Sequence, residues 1–358
     1  MPAPDLTAPP GPRPDLPRSS GEPRRGWKLA GRVFLVLVAA MSLQVLGPTL
    51  AVVYTTVGDV VHLHPAWLLV ITASECTSFV CLWWLMRLVI RTSDWRVVAR
   101  AQLVGNAVSQ VVPGGAATGA AVQMRMLTTG GVDKATAVSG LPVVGLITAA
   151  TVFVSPVFAL PALLTVPDVP RQLVVAAGLG VAGSLLLGGA LTVFLVTTRP
   201  LELAAGVVQR LWNKVVRHHP FYELPAKIVE ERDSIRERLG DNKRAAALAA
   251  VGTFGFDYLA LLAALAAVGA RPEPGLVLLA FVAAKLLGMI PVTPGGLGFV
   301  EAGLTGTLAL TGISTGQAVV ATAAYRVVSY FLPVMAGVVA YGWHKVDMYE
   351  AAREELRP

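Results

Sequence analysis

The sequence predicts an all-α integral membrane protein, a polytopic bundle of helices, and three observations support this prediction. Hydrophobic residues make up 54% of the chain and charged residues only 14%, whereas a soluble domain has about 25% charged residues. The apolar residues form long runs, and a helix needs about 20 such residues to cross a bilayer. In addition, a Pro-Gly-Gly motif occurs twice, each time where an apolar region is interrupted.

The apolar runs divide the chain into tails and spans. Residues 1–29 are polar and rich in proline, which predicts a disordered cytoplasmic tail rather than a signal peptide. Residues 30–345 are expected to form the membrane domain, and residues 346–358 a second cytoplasmic tail. Six runs within the domain predict transmembrane helices at 32–56, 66–90, 135–160, 171–197, 245–269 and 315–342.

Two weaker apolar segments, around 97–131 and 275–310, contain Pro113-Gly114-Gly115 and Pro294-Gly295-Gly296. Each segment predicts two short helices joined at a glycine turn, as a re-entrant hairpin or as two complete crossings. Irregular backbone is tolerated at membrane depth only where protein or water surrounds it, so both hairpins should face the bundle interior. A pair of helix breaks that serves only packing is the alternative.

The basic residues predict the orientation. Lys and Arg residues cluster before the first span, after the second span and in the connector 198–244, whereas the opposite loops contain a single basic residue, Arg271. Basic loops stay on the cytoplasmic side, so both termini are expected in the cytoplasm, with the chain crossing the plasma membrane several times. The connector is expected to lie along anionic lipid or, alternatively, to dock a partner.

An internal repeat relates the two hairpins, because 294 − 113 = 181 and the same shift aligns the flanking spans. Repeat one covers 66–160 and repeat two covers 247–342. The predicted orientation sends the span at 66 inward and its copy at 247 outward, so the two repeats are expected to be inverted. Inverted repeats are typical of transporters that bind substrate near the membrane midplane at broken helices.

Candidate binding residues lie at the hairpins and within the apolar segments. The backbone N–H groups after Gly114-Gly115 and Gly295-Gly296 begin helices and suit a phosphate or a carboxylate. An ionisable side chain costs about 2.5–3.5 kcal/mol at the centre of a span, so such residues should face inward and pair. They are Glu75, Asp257, Lys285, Glu301 and Arg326, with Arg125 closing the first hairpin.

Two specific roles follow for these charges. Lys285 and Glu301 flank the second hairpin and are expected to be partners, while Arg125 and Arg326 are candidate phosphate ligands because a guanidinium can engage two oxygens. Salt bridges within the bundle, or an interfacial cation in the case of Arg125, are the structural alternatives.

Other classes of function lack their motifs. The chain has no nucleotide-binding or hydrolase motif, and His62, His64, Cys76 and Cys81 fit no zinc or redox pattern, so we expect no metal and no cofactor. The net charge of +7 belongs to membrane-flanking loops and does not indicate nucleic acid. We therefore expect a non-enzyme. A membrane-embedded transferase with Glu301 or Asp257 as the base is an alternative, but no nucleophile accompanies them.

The segments "PGGAATGAAVQMRMLTTGGVDKATAV" and "PVTPGGLGFVEAGLTGTLALTGISTGQAVVATAAYRVVSYFLP" resemble the transmembrane flippase domain of lysylphosphatidylglycerol synthases and related stand-alone membrane proteins. The likeness covers most of residues 30–345. It implies paired re-entrant hairpins, a cavity between inverted halves, and movement of aminoacylated or other phospholipids from the inner to the outer leaflet. The segment after the last span is too short for the soluble aminoacyl-transfer domain of these synthases, so we expect a stand-alone member of the family.

Matched residue by residue, the resemblance implies a lipid site at Arg125, Arg326, Glu301 and the glycines Gly295, Gly296 and Gly298. The resemblance also implies an arginine on the span that follows the first hairpin. Here the first half departs from that pattern, because Gly145 occupies the position that the 181-residue shift relates to Arg326.

The leading hypothesis is therefore a lipid translocase whose partners are membrane phospholipids. The alternative is a non-transporting scaffold that docks a separate lipid-modifying or cell-envelope enzyme through the connector. Association into a homo-oligomer stays open.

Overall fold

The structure is a computed structural model, and it describes residues 64–112, 115–165, 240–289 and 294–355, with scattered positions between 171 and 186. All regular structure in these residues is helical. Four helical segments are long and apolar enough to cross a membrane. They are Pro65–Ile90, Lys134–Ala162, Lys243–Ala267 and Thr315–Trp343. The chain is thus an all-α polytopic membrane protein, as the sequence predicts.

The helices within the described residues are numbered here in chain order. They are α1 Pro65–Ile90, α2 Trp95–Val111, α3 Gly115–Thr129, α4 Lys134–Val154, α5 Leu160–Thr165, α6 Lys243–Ala267, α7 Pro274–Gly288, α8 Phe299–Ala309, α9 Thr315–Arg326 and α10 Leu332–Glu355. A 3-10 turn, Ser155–Ala159, joins α4 to α5, and a π-helical turn, Val327–Phe331, joins α9 to α10. A further 3-10 turn, Pro294–Gly296, precedes α8.

The sequence defines the helix starts through proline and capping residues. Pro65 and Pro274 occupy the first turns of α1 and α7, where the missing N–H costs nothing. Asp94 accepts hydrogen bonds from the backbone N–H groups of Arg96 and Val97 at the start of α2. His64 Nδ1 accepts one from Ala66 N at the start of α1. His64 therefore caps a helix.

The two halves of the chain share their cores. Helices α1 and α6 pack along one another, and Ser78 Oγ donates a hydrogen bond of 2.7 Å to the Thr253 carbonyl across this contact. One buried cluster is built mainly from α6 to α9 but includes Ile71 of α1. A second cluster is built mainly from α1 to α4 but includes Ala246 of α6 and Ala340 of α10.

The 181-residue shift brings the observed helices of the two halves close to register. It maps α1 onto 246–271, where α6 is found, and α2 onto 276–292, where α7 is found. The connecting glycines also match, since Gly131 and Gly312 have φ of 88° and 87°. Helix α10 packs on α2, and the Ser155–Ala159 turn with α5 packs on α7. The inversion of the repeats across a membrane and the re-entrant course of the hairpins stay predictions.

Parts of the predicted organisation fall outside the described residues. These parts are the tail 1–29, the span 32–56, most of the span 171–197 and most of the connector 198–244.

The predicted span at 315–342 is a helix in the structure, but it contains the π-helical turn that the sequence did not indicate. Helix α10 continues to Glu355, well beyond the predicted end of the membrane domain.

Candidate functional site

The second Pro-Gly-Gly motif forms a tight turn directly before α8. Gly295, Gly296 and Gly298 have φ of 59°, 69° and 84°, a left-handed region that only glycine enters without strain. The turn is also crowded, because a Cβ at Gly295 would meet the ring of Tyr330. A Cβ at Gly296 would lie 2.8 Å from Val300 Cγ2 and 3.1 Å from Gly288 Cα. Glycine is therefore required here by both conformation and space.

Glu301 closes the start of α8. Its Oε2 accepts a hydrogen bond of 2.6 Å from the Gly298 backbone N–H, which satisfies one of the unpaired donors at a helix N-terminus. Its Oε1 accepts a hydrogen bond of 2.6 Å from Arg326 Nε at the end of α9. The side chains are 18% and 11% exposed. The carboxylate therefore joins the turn to the last membrane-spanning segment.

Arg326 extends this connection to the first hairpin. Its Nη2 lies 3.4 Å from the Gly295 carbonyl oxygen, and its guanidinium carbon lies 4.8 Å from the centre of the Tyr330 ring. Tyr330 in turn donates a hydrogen bond of 2.9 Å from its hydroxyl to the Gln110 carbonyl, near the end of α2. One arginine and one tyrosine thus link the turn of the second hairpin to the first arm of the first.

A second ion pair lies between α6 and α7. Lys285 Nζ donates to Asp257 Oδ2, and the hydroxyl of Tyr325 donates to Asp257 Oδ1 at 2.6 Å. Lys285 Nζ also lies 5.0 Å from the centre of the Phe281 ring, a cation–π arrangement. Asp257 therefore has a charged and a neutral partner, one on each oxygen.

Glu75 of α1 lies beside these pairs. Its side chain is 4% exposed, and its Oε2 has no hydrogen-bond partner among the described residues. It interacts electrostatically with Asp257, Lys285 and Arg326. Five predicted residues therefore form one partly buried group, here called the charge cluster: Glu75, Asp257, Lys285, Glu301 and Arg326.

The predicted pairing of Lys285 with Glu301 is wrong. Lys285 pairs with Asp257 on α6, and Glu301 pairs with Arg326 at the end of α9. The two residues flank the same hairpin in sequence, but the partners of a buried charge come from neighbouring helices. The Gly298 N–H, which was expected to be open to an anionic ligand, is bonded to the protein's own Glu301.

The first hairpin contributes less to this group. Arg125 is exposed on α3, and the hydrogen bonds and ion pairs of the charge cluster do not include it. Gly114 lies outside the described residues, and Gly115 packs against the backbone of Ser109 in α2. The structure therefore does not bring Arg125 together with Arg326 and Glu301.

Three contacting residues were missed from the sequence, namely Tyr325, Tyr330 and Gln110. Tyr325 directly precedes Arg326 in the second segment that carries the family resemblance, so a signal for it was present. Tyr330 follows Arg326 by four residues, which places two side chains on the same helix face. The carbonyl of Gln110 had no signal, since any residue supplies this group.

Two other features of the described residues lie apart from the cluster. A shallow, open surface pocket of 390 Å³ is lined by Val80, Trp83, Trp95, Arg96 and Ala99. Arg87 stacks on Trp95 beside it, with the guanidinium carbon 4.3 Å from the ring centre. No group of three or more His, Cys, Asp or Glu side chains in the described ranges could hold a metal ion.

Comparison with known proteins places this architecture among membrane proteins related to lipid metabolism. A curated UPF0104 membrane protein of Methanothermobacter thermautotrophicus is 29% identical over 90 residues, which are 25% of this chain and 26% of the relative. The chain therefore matches about a quarter of that relative's length. No solved structure matches. The family model described as the lysylphosphatidylglycerol synthase TM region matches residues 29–337. The chain belongs to this family.

Proposed function

We propose that this protein is a lipid translocase. It moves an anionic or aminoacylated phospholipid, or a related lipid-linked substrate, between the leaflets of the plasma membrane through a cavity between two inverted repeats. Membership of a lipid-related membrane family supports this proposal. The observation that carries it is the Arg326–Glu301 pair, held largely out of solvent beside the glycine turn.

The pair can recognise both parts of such a headgroup. The described contacts of Arg326 use Nε, Nη2 and the ring face, and none of them uses Nη1. A phosphate can bond to Nη1 and share the positive charge with Glu301. Glu301 can accept a hydrogen bond from the ammonium of an aminoacyl group as that phosphate takes part of the guanidinium. Because the matching residue of the first half is Ala120, this recognition belongs to the second hairpin.

The proposal is tested with purified protein in liposomes and a fluorescent anionic phospholipid whose leaflet is reported by quenching from outside. Replacing Arg326→Ala is expected to slow lipid movement about tenfold or more, since a hydrogen bond to a charged group contributes about 1.5–3 kcal/mol. Arg271→Ala is the matched control, because it removes the same charge from an exposed loop. Equal rates for the two variants would falsify the proposed site.

A double variant separates recognition from simple packing. Removing one partner of a buried ion pair leaves an uncompensated charge, whereas replacing both removes this cost. Arg326→Gln with Glu301→Gln should therefore unfold at a higher temperature than either single variant. Lipid movement should nevertheless stay low in the double variant, because the group that binds phosphate is absent. Recovery of transport together with stability would show that the pair serves the fold alone.

The scaffold alternative predicts a different result. If the protein only docks an enzyme through the connector 198–244, then purified protein should leave lipid in its original leaflet. In cells that also make the docked enzyme, deletion of the connector should then abolish the effect of this protein on the activity of that enzyme. A translocase should move lipid in the liposomes without any second protein.

A further inference from the structure

The charge cluster contains one more carboxylate than it contains basic groups. Its three acids are Glu75, Asp257 and Glu301, and its two bases are Lys285 and Arg326, so the cluster would have a net charge of 2 − 3 = −1 if all were ionised. Asp257 and Glu301 each have an ion-pair partner. The uncompensated negative charge therefore falls on Glu75.

The surroundings of Glu75 do little to stabilise its ionised form. It is 4% exposed and its Oε2 has no hydrogen-bond partner in the described part of the chain. The charged groups that act on it are Asp257 from α6, Lys285 from α7 and Arg326 from α9, and the titratable hydroxyl of Tyr325 on α9 also interacts with it. Both cations already have partners of their own. An ionised carboxylate without a partner costs several kcal/mol in such a place, and one proton removes that cost.

Glu75 also lies where the two halves meet. Since 257 − 75 = 182, it is within one residue of the position that the 181-residue shift relates to Asp257. The two acids therefore occupy nearly equivalent places on α1 and α6, which pack along each other. Any movement of α1 against α6 changes the distance from Glu75 to Asp257 and Lys285. The ease of ionising Glu75 therefore depends on how the halves are arranged.

We propose that Glu75 is a proton-binding site that couples proton uptake to the binding of an anionic lipid. The carboxylate takes one proton from solvent and becomes a neutral acid, which brings the cluster from −1 to zero. When a phosphate binds Arg326, it adds negative charge to the cluster and favours the protonated form of Glu75. By linkage, the proton favours lipid binding by the same factor. The coupling rests on the proposed function, whereas the proton site does not.

The proton site is tested without any transport. Infrared difference spectra of the purified protein should be taken between alkaline buffer and weakly acidic buffer of about pH 6, in which exposed carboxylates are already ionised. They should contain the carbonyl band of one protonated acid that loses its proton. Glu75→Gln should lack this band, Glu75→Asp should shift it, and Cys76→Ala, on the exposed neighbouring position, should keep it. Persistence of the band in a folded Glu75→Gln variant, or its absence from the wild type, would overturn the proton site.

The coupling is tested by the liposome assay at several pH values. The rate of wild-type lipid movement should change with pH, and the profile should become flat in Glu75→Gln but not in Cys76→Ala. An unchanged profile in Glu75→Gln would overturn the coupling. If even the wild type moves no lipid, the proposed function fails, while the infrared result still decides whether Glu75 binds a proton.

Discussion

Gly295 combines two demands that a single substitution can test. Its φ is 59°, and a Cβ there would meet the Tyr330 ring. A side chain in the left-handed region costs about 1–2 kcal/mol before any clash is counted. Gly295→Ala should therefore lower the unfolding temperature of the purified protein in detergent, because the ring must also move away from Arg326.

Gly306→Ala is the control for this prediction. Gly306 is an exposed position inside α8, and its added Cβ would meet nothing within 4 Å. Alanine there should leave the stability unchanged or raise it by about 0.5–1 kcal/mol, since glycine weakens a helix interior. If both alanine variants unfold at the wild-type temperature, the described geometry of the Gly295 turn is incorrect.

The sequence predicted which charged residues would lie in the apolar segments, but not which of them would pair. The insertion cost predicts that Glu75, Asp257, Lys285, Glu301 and Arg326 face inward, because it depends only on side-chain chemistry and depth. Glu75 is buried, whereas the Lys285 side chain is 33% exposed. Pairing depends on helix rotation and crossing. Lys285 meets an acid 28 residues earlier in the chain rather than the one 16 residues later. No periodicity within a single segment contains this information.

At the scale of elements, the sequence predicted the spans among the described residues well because each depends on length and composition. Helices α1 and α6 and the α4–α5 and α9–α10 segments lie close to their predicted limits. The π-helical turn Val327–Phe331 was missed, although it follows directly after Arg326. Such turns frequently occur at functional sites. Apolar periodicity does not report such a local change in the backbone hydrogen-bond pattern.

Helix α4 should have a pH-dependent start that its counterpart α9 lacks. Asp133 caps α4 by accepting a hydrogen bond of 3.0 Å from Thr136 N, and Ser314, at 133 + 181 = 314, caps α9 by accepting from Gln317 N. The Thr136 backbone hydrogen bond lowers the pKa of Asp133 below its ordinary value of 3.8. A lowered folded pKa means that this stabilisation is present above that value and is lost as pH falls through the folded pKa.

Hydrogen exchange of the Thr136 and Gln317 amides checks this prediction after correction for intrinsic exchange rates. Protection of Thr136 should stay constant down to about pH 4, the ordinary carboxyl pKa, and fall below it as Asp133 is protonated. Protection of Gln317 should stay constant, since a serine hydroxyl does not titrate. Asp133→Asn should keep the cap and remove the pH dependence. An equal fall at both amides would instead indicate general loosening of the protein in acid.

At the scale of the whole molecule, the two halves are joined by exchange of elements rather than by a flat contact. Each core cluster includes residues from the opposite half, and α10 packs on α2. Small residues permit close approach, as at Gly337, where a Cβ would lie 2.6 Å from Ala107 Cβ. Neither half is therefore expected to fold stably without the other.

The contact between α1 and α6 offers a direct test of this arrangement. A Cβ at Gly252 would lie 3.4 Å from Cys81 Cβ and 2.8 Å from its Sγ, close to the Cβ separation of about 3.5–4.5 Å found in disulfides. Gly252→Cys should therefore form a disulfide with the native Cys81 under mild oxidation, in a background where Cys76 is replaced by Ala. A protease site inserted into the connector between 198 and 244 reports the bond, because cleaved halves stay linked until reduced. Gly255→Cys is the control, since its Cβ would meet nothing within 4 Å, and it should leave the halves separable.

The same disulfide tests whether lipid transport requires the two halves to move against each other. If lipid crosses by rocking of one half against the other, the link at α1 and α6 restrains that movement, and transport in liposomes should fall and then recover with reductant. The Gly255→Cys variant should be insensitive to both treatments. If the linked protein moves lipid at the wild-type rate, the conformational change must occur elsewhere, at the hairpins. The α1–α6 contact would then be a fixed axis, and Glu75 and Asp257 would keep a constant distance.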